Sequence, residues 1–222
     1  MIGKIGKQLL AGAILLTAAA CAAPEEDGER FIDMPDSWKT IDLAEADLTL
    51  PLDLPFQIRR LGKRVGEGQV FENLYAFNGV KGYLLTSRVF FGHYSENTML
   101  KLRRAQTFHS FAEDLPEVRR RKLKIGTVQG FSNGDPNTVG HYTLAAAGPL
   151  QERCFIARVG YRLVEYSAIE RQPGAIDTIV IALLCGDRVE PDALVALLRD
   201  VAVVEDRDAF REALSKRPIG TI

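Results

Sequence analysis

The chain has 222 residues, 46% of them apolar, with 28 basic side chains against 29 acidic ones. This near-neutral balance lacks the basic excess of a nucleic-acid binder, while the apolar content can fill the core of one domain. Three cysteines and three histidines, none in CxxC or HxxxH spacing, form no recognisable metal motif, and no cofactor is expected.

Met1 to Gln8 carries Lys4 and Lys7 and no acid, and an uncharged run rich in Leu and Ala follows from Leu9 to Ala20. That is the layout of a secretory leader. A spanning helix needs about 20 apolar residues, and this run has twelve. Its end, Leu15-Leu16-Thr17-Ala18-Ala19-Ala20-Cys21, resembles the lipobox of bacterial lipoproteins, a resemblance covering residues 1–21. The resemblance implies a diacylglyceryl group on the Cys21 thiol and cleavage before it, so that Cys21 begins the mature chain. Ala18 departs from the pattern, which most often has Leu there. Ala22 stands where Asp is associated with inner-membrane retention, so the resemblance favours the outer membrane, with the domain facing the periplasm. The alternative is an ordinary signal cleaved after Ala-x-Ala, which leaves Cys21 a spare thiol. Each buried CH₂ contributes about 0.8 kcal/mol, and two acyl chains hold stably where one does not. Without Lys4 and Lys7 the mature chain has 26 basic against 29 acidic residues, a net charge of −3.

Ala22 to Arg30 is a polar tether with four acids and no apolar periodicity. Its nine residues span at most about 30 Å, holding a following domain close to the lipid. Residues 31–222 are expected to form that domain. From Phe31 to Pro55 three prolines punctuate an extended segment packed through Trp38, Ile41, Leu48 and Leu50. Strand-like runs follow at Phe56–Arg64, Val70–Phe77 and Tyr83–Phe91, separated by the turn signals Gly66-Glu67-Gly68 and Asn78-Gly79. Such short connections predict an antiparallel meander.

Ser95 suits a helix N-cap. One long helix is predicted over Glu96–Leu115, ended by Pro116, with Leu100, Ala105, Phe108, Phe111, Ala112 and Leu115 toward the sheet and Lys101 and Arg104 snorkelling past them. Strands resume at Leu123–Gly130 and Val139–Ala147 around a turn at Ser132–Asn137. Cys154–Val159 and Ile176–Cys185 are apolar runs that suit central strands, and Tyr161–Ala168 is a further strand candidate.

In an oxidising compartment a Cys154–Cys185 disulfide is the default. It requires Cα atoms within about 7 Å, hence direct antiparallel pairing of those two runs. Two buried free thiols are the alternative. Pro191 suits a first helical position, Leu194, Leu197, Leu198 and Val201 repeat on one helical face, and Asp208–Lys216 forms a short last helix burying Phe210, Ala213 and Leu214. The expected fold class is α+β: a mostly antiparallel sheet with one long helix packed on it and C-terminal helices. The element order is similar to that of PsbP-type sandwiches, which implies nothing about function.

Gly130-Phe131-Ser132-Asn133-Gly134 matches the G-x-S-x-G nucleophile elbow, which needs a helix after the serine and a later acid and histidine. Here Asp135-Pro136-Asn137 and a strand follow, which is hairpin chemistry. A serine hydrolase built from Ser132, His141 and Asp135 is the alternative to a domain without catalysis. Asn133, Asp135 and Asn137 alternate like calcium ligands, but Thr138 and Leu144 occupy the positions where an EF-hand needs Gly and Glu. His93, His109 and His141 sit on separate predicted elements.

The basic run Arg119–Lys122, with Lys124, Arg103 and Arg104, is either a solvated strand entrance or a face for anionic lipid, lipopolysaccharide or a polymer. Phe90, Phe91, Tyr94, Phe108 and Phe111 either pack the core or line a site for an apolar ligand. The sequence therefore leads to a lipid-anchored envelope protein with a binding or structural domain, partnered by the membrane through its anchor and by an envelope protein or anionic lipid. The alternatives are a hydrolase and a carrier of an apolar ligand.

Overall fold

The computed structural model describes residues 38–49, 58–65, 70–89, 94–148, 153–163, 176–187 and 189–215. Among them the strands are β1 (Lys39–Thr40), β2 (Leu48–Thr49), β3 (Ile58–Val65), β4 (Val70–Phe77), β5 (Lys81–Val89), β6 (Lys124–Ile125), β7 (Gln129–Phe131), β8 (Val139–Ala146), β9 (Arg153–Tyr161), β10 (Thr178–Cys185) and β11 (Ala202–Val203). The helices are α1 (Glu96–Arg103), α2 (Ala105–Asp114), α3 (Pro116–Arg121), α4 (Pro191–Arg199) and α5 (Arg207–Ser215).

A nine-stranded antiparallel sheet runs in the order β1-β3-β4-β5-β10-β9-β8-β6, with β7 also on β8, and β2 pairs with β11 in a separate two-stranded sheet. Alternation along β9 and β10 sorts the core into two layers. Phe155, Ala157, Val159, Tyr161, Val180, Ala182 and Leu184 pack with the Leu194, Leu197 and Leu198 stripe of α4. Cys154, Ile156, Leu183 and Cys185 point the other way, toward Phe108, Ala112, Leu115 and Val118 of α2 and α3. Helices therefore cover both faces of the central strands, which explains why those strands read as nearly unbroken apolar runs. The Tyr161 hydroxyl donates to Leu198 O at 2.8 Å and the Tyr75 hydroxyl to Leu48 O at 3.2 Å, tying α4 and β2 to the sheet. Asp47 adds a polar clasp: it accepts from Lys63 Nζ at 2.9 Å, Asn73 Nδ2 at 3.0 Å and Arg207 at 3.4 Å, joining the sheet to the start of α5.

The long helix expected over Glu96–Leu115 is two short ones, α1 and α2. Arg104 is extended (φ −96°, ψ 113°) and separates α1 from α2. The cause is phase: α1 buries Met99 and Leu102, α2 buries Phe108 and Ala112, and at about 100° per residue Leu102 and Phe108 stand about 120° apart on a straight helix. The break turns both toward the sheet. Leu100 is left 41% exposed, and Ala105, Lys101 and Arg104 are exposed as well. Pro116 does not end a helix; it opens α3 at the position where its missing N–H is not needed, so Arg119–Arg121 are helical rather than the entrance to a strand. Lys122, in the left-handed region at φ 52°, closes α3.

The strand expected over Leu123–Gly130 is two pieces. Ile125 pairs with Ala145 and Gln129 with Tyr142, so four steps on one strand face three on the other, a bulge. Close approach favours glycine at several positions, two of which bear on the packing of the central strands. A Cβ on Gly82 (φ +108°) would lie 1.9 Å from Leu183 O, and one on Gly160 would meet Leu102 of α1 at 2.7 Å. Gly160 thus lets α1 settle on β9. Phe210, Ala213 and Leu214 fall on α5, as expected of the last helix, while Leu50 and residues 164–168 of the further strand candidate lie outside what is described.

Truncating Leu198 to Ala should cost about 2–5 kcal/mol, whereas Leu100→Ala should stay within about 0.5 kcal/mol. Urea unfolding midpoints of the two variants check this.

Candidate functional site

Cys21, His93, Phe90 and Phe91 lie outside the described residues. Cys154 and Cys185 face each other at the end of the β9–β10 ladder, sulfurs at 2.11 Å and Cα atoms 4.0 Å apart. Gly186 N–H donates to Arg153 O beside them, so the cysteines occupy the closer, non-hydrogen-bonded type of cross-strand site. Both are fully buried under α2 and α3. Arg121 NH1 lies 3.7 Å from Cys154 Sγ.

Ser132 lies in a chain of small turns. Its Oγ accepts from Gly134 N–H at 3.2 Å, Asn133 Oδ1 from Asp135 N–H at 3.0 Å, and Asp135 Oδ1 from Asn137 N–H at 2.8 Å. These side chains shape the hairpin. His141 stands on β8 opposite Gly130. Its Nδ1 is 3.0 Å from Leu102 O and its ring stacks on Phe108, centroids 5.9 Å apart. Burial lowers its pKa, against a smaller opposing effect of the Leu102 bond, so the imidazole is neutral at neutral pH. The three candidates of a hydrolase thus spend these contacts on a turn and on α1 rather than on one another. His109, on α2, pairs with Glu113 at 3.3 Å on the surface, and no group of three or more His, Cys, Asp or Glu side chains that could hold a metal ion occurs among the described residues.

A different cluster lies on the same sheet face, built from one cross-strand row. Register aligns His141 with Arg158, Arg158 with Ile181, Ile181 with Leu85, and Leu85 with Leu74. Arg158 is a single charge inside the apolar run Cys154-Phe155-Ile156-Ala157-Arg158-Val159, half-buried, with its Nε buried without a hydrogen-bond partner. Its guanidinium lies over the Phe111 ring of α2, 4.9 Å from the centroid. Burial lowers its pKa, with no carboxylate among the causes.

Tyr94 closes one side, its hydroxyl 2.9 Å from Ser87 Oγ and donating to Ser87 O at 3.1 Å. Burial raises its pKa. Sequence reasoning treated this strand as uniformly apolar and missed Arg158; the lone charge between Ala157 and Val159 was the available signal.

The basic residues Lys101, Arg103, Arg104, Arg119, Arg120 and Lys122 along α1–α3 and Lys124 on β6 are exposed. Arg119 pairs with Asp114. No helix of the described residues is long and apolar enough to cross a membrane.

No family model, no curated protein and no solved structure matches the chain. What the described residues define is an α+β domain in which an antiparallel sheet is covered by helices on both faces.

Alkylation of unreduced protein should leave Cys154 and Cys185 unlabelled, and the Cys154→Ala/Cys185→Ala double variant should lose about 3–4 kcal/mol, read from denaturant unfolding. A second outcome concerns acid. Because burial holds the folded-state pKa of His141 below its ordinary value of 6.5, its contribution is full above that value and falls as pH drops through it. Between about pH 7.5 and about pH 5.5 the parent should therefore lose more stability than His141→Asn, measured by urea midpoints at both values.

Proposed function

We propose that this chain is a lipid-anchored protein of a bacterial cell envelope, held by acyl chains on Cys21, whose α+β domain is a non-catalytic binding module. The sequence Leu15–Cys21 carries the reading, and the acidic tether behind it accounts for a domain kept near the bilayer. The pairing of Cys154 with Cys185 supports export independently, because disulfides form and persist in oxidising compartments and are rare in the cytosol. The engagement of Ser132 in its own turn and of His141 with α1 supports a role other than acyl transfer. The half-buried Arg158, with no carboxylate paired to it among the described residues, supports ligand binding. The outer membrane is the placement favoured by Ala22.

Cells expressing the protein with radiolabelled palmitate should yield a labelled band in the membrane fraction, absent in Cys21→Ser. Label persisting in that variant, or a parent that carries none, would overturn the anchor.

A further inference from the structure

The chemistry of the ligand follows from the row that contains Arg158, an inference resting on the binding-module reading above. The row changes character along its length. At one end are His141 and the Arg158 guanidinium; at the other are Ile181, Leu85 and Leu74, one from each of three adjacent strands. With strands about 4.8 Å apart, Arg158 to Leu74 spans about 14 Å. The neighbouring row on the same face is buried at Ile156, Leu183 and Ala76 and half-buried at Tyr83, whereas Ile181, Leu85 and Leu74 are all half-buried. Half-buried apolar surface therefore continues from Arg158 across three strands, beside α2 and its Phe111.

Arg158 supplies the specificity. A desolvated charge without a counter-charge is costly, and a guanidinium matches the two oxygens of a carboxylate with parallel hydrogen bonds. The face of Phe111 spreads that charge over an aromatic ring but offers no acceptor. His141 is neutral, so this row carries one positive charge, which suits a monoanion. We infer that the row is a binding site for an amphiphilic carboxylate, its head accepting hydrogen bonds from Arg158 and its aliphatic part lying along Ile181, Leu85 and Leu74.

Native mass spectrometry of the full-length protein, released from a non-ionic detergent in the presence of dodecanoate, tests this. The parent should retain one dodecanoate, and dodecanol, which lacks the charge, should be retained far less. Arg158→Met, which keeps the apolar stem, should cut the dodecanoate-bound fraction by about tenfold or more. Leu85→Glu, which leaves Arg158 in place and sets a like charge in the path of the tail, should abolish it. Thermal unfolding of each variant establishes that it is folded. A parent without an adduct, or a folded Arg158→Met that binds as the parent does, overturns the assignment. The same spectra report the acyl mass on Cys21, so a lipid-bearing protein that ignores dodecanoate sinks the ligand while leaving the anchor standing.

Discussion

The antiparallel pairing of β9 with β10 is the constraint on which the rest of the molecule depends. Eight consecutive residue pairs run from Tyr161 opposite Thr178 to Cys154 opposite Cys185, and both faces of the pair are covered. Side chains alternate between the faces, so a slip of one residue would exchange the α4 core for the α2–α3 core and drive Arg158 toward Val180 and Leu184. The cysteine pair stands at one end of this ladder and permits only one register. β5 and β8 then flank it, and the helices take the positions that the alternating side chains leave for them.

Given that frame, the two faces are not equivalent. The α4 face holds Tyr161, Phe155 and Leu184 in one continuous core that also takes in Leu48 and Tyr75 from the outer elements. On the opposite face α1 lies over β8 and β9, and α2 and α3 cover the end nearest the cysteines. Beyond them Ile181, Leu85 and Leu74 are half-buried. Gly160 permits the close seat of α1, and the Leu102 carbonyl takes the His141 contact that this approach makes available. The asymmetry is thus a consequence of where three short helices can reach, and it places Arg158, the one charged side chain within the run Cys154–Val159, beside their margin.

Much of this frame is legible in the residues. Strand-like runs bounded by turn chemistry locate β4 and β8 closely, unbroken apolar runs locate β9 and β10, Pro191 and the Leu194–Val201 repeat locate α4, and the distance limit on a disulfide leads to direct pairing of β9 with β10. What escapes is tertiary. Nothing local to Arg104 predicts a break, because the break is imposed by the need of Leu102 and Phe108 to reach one sheet from different sides of a helix. Pro116 can end one helix or begin another, and its neighbours do not decide which. The two-residue pairing of β2 with β11 joins positions about 150 residues apart and has no signature of its own in so short a span. Arg158 was hidden for a different reason: the apolar residues around it dominate the pattern, so the exception is averaged away.

That exception bears on what the domain is for. A strand that needed only to fill space between two helical layers would take another apolar residue at position 158, since the row neighbour Ile181 and the facing Phe111 already provide apolar surface. Replacing a buried charge by a hydrophobic side chain of similar volume is often neutral or stabilising, so stability alone gives no reason to keep a guanidinium there. Its Nε is sealed from water without a hydrogen-bond partner, and its guanidinium lies over the Phe111 ring, which supplies no acceptor. A cation held in that way carries a desolvation cost that packing between two helical layers does not explain.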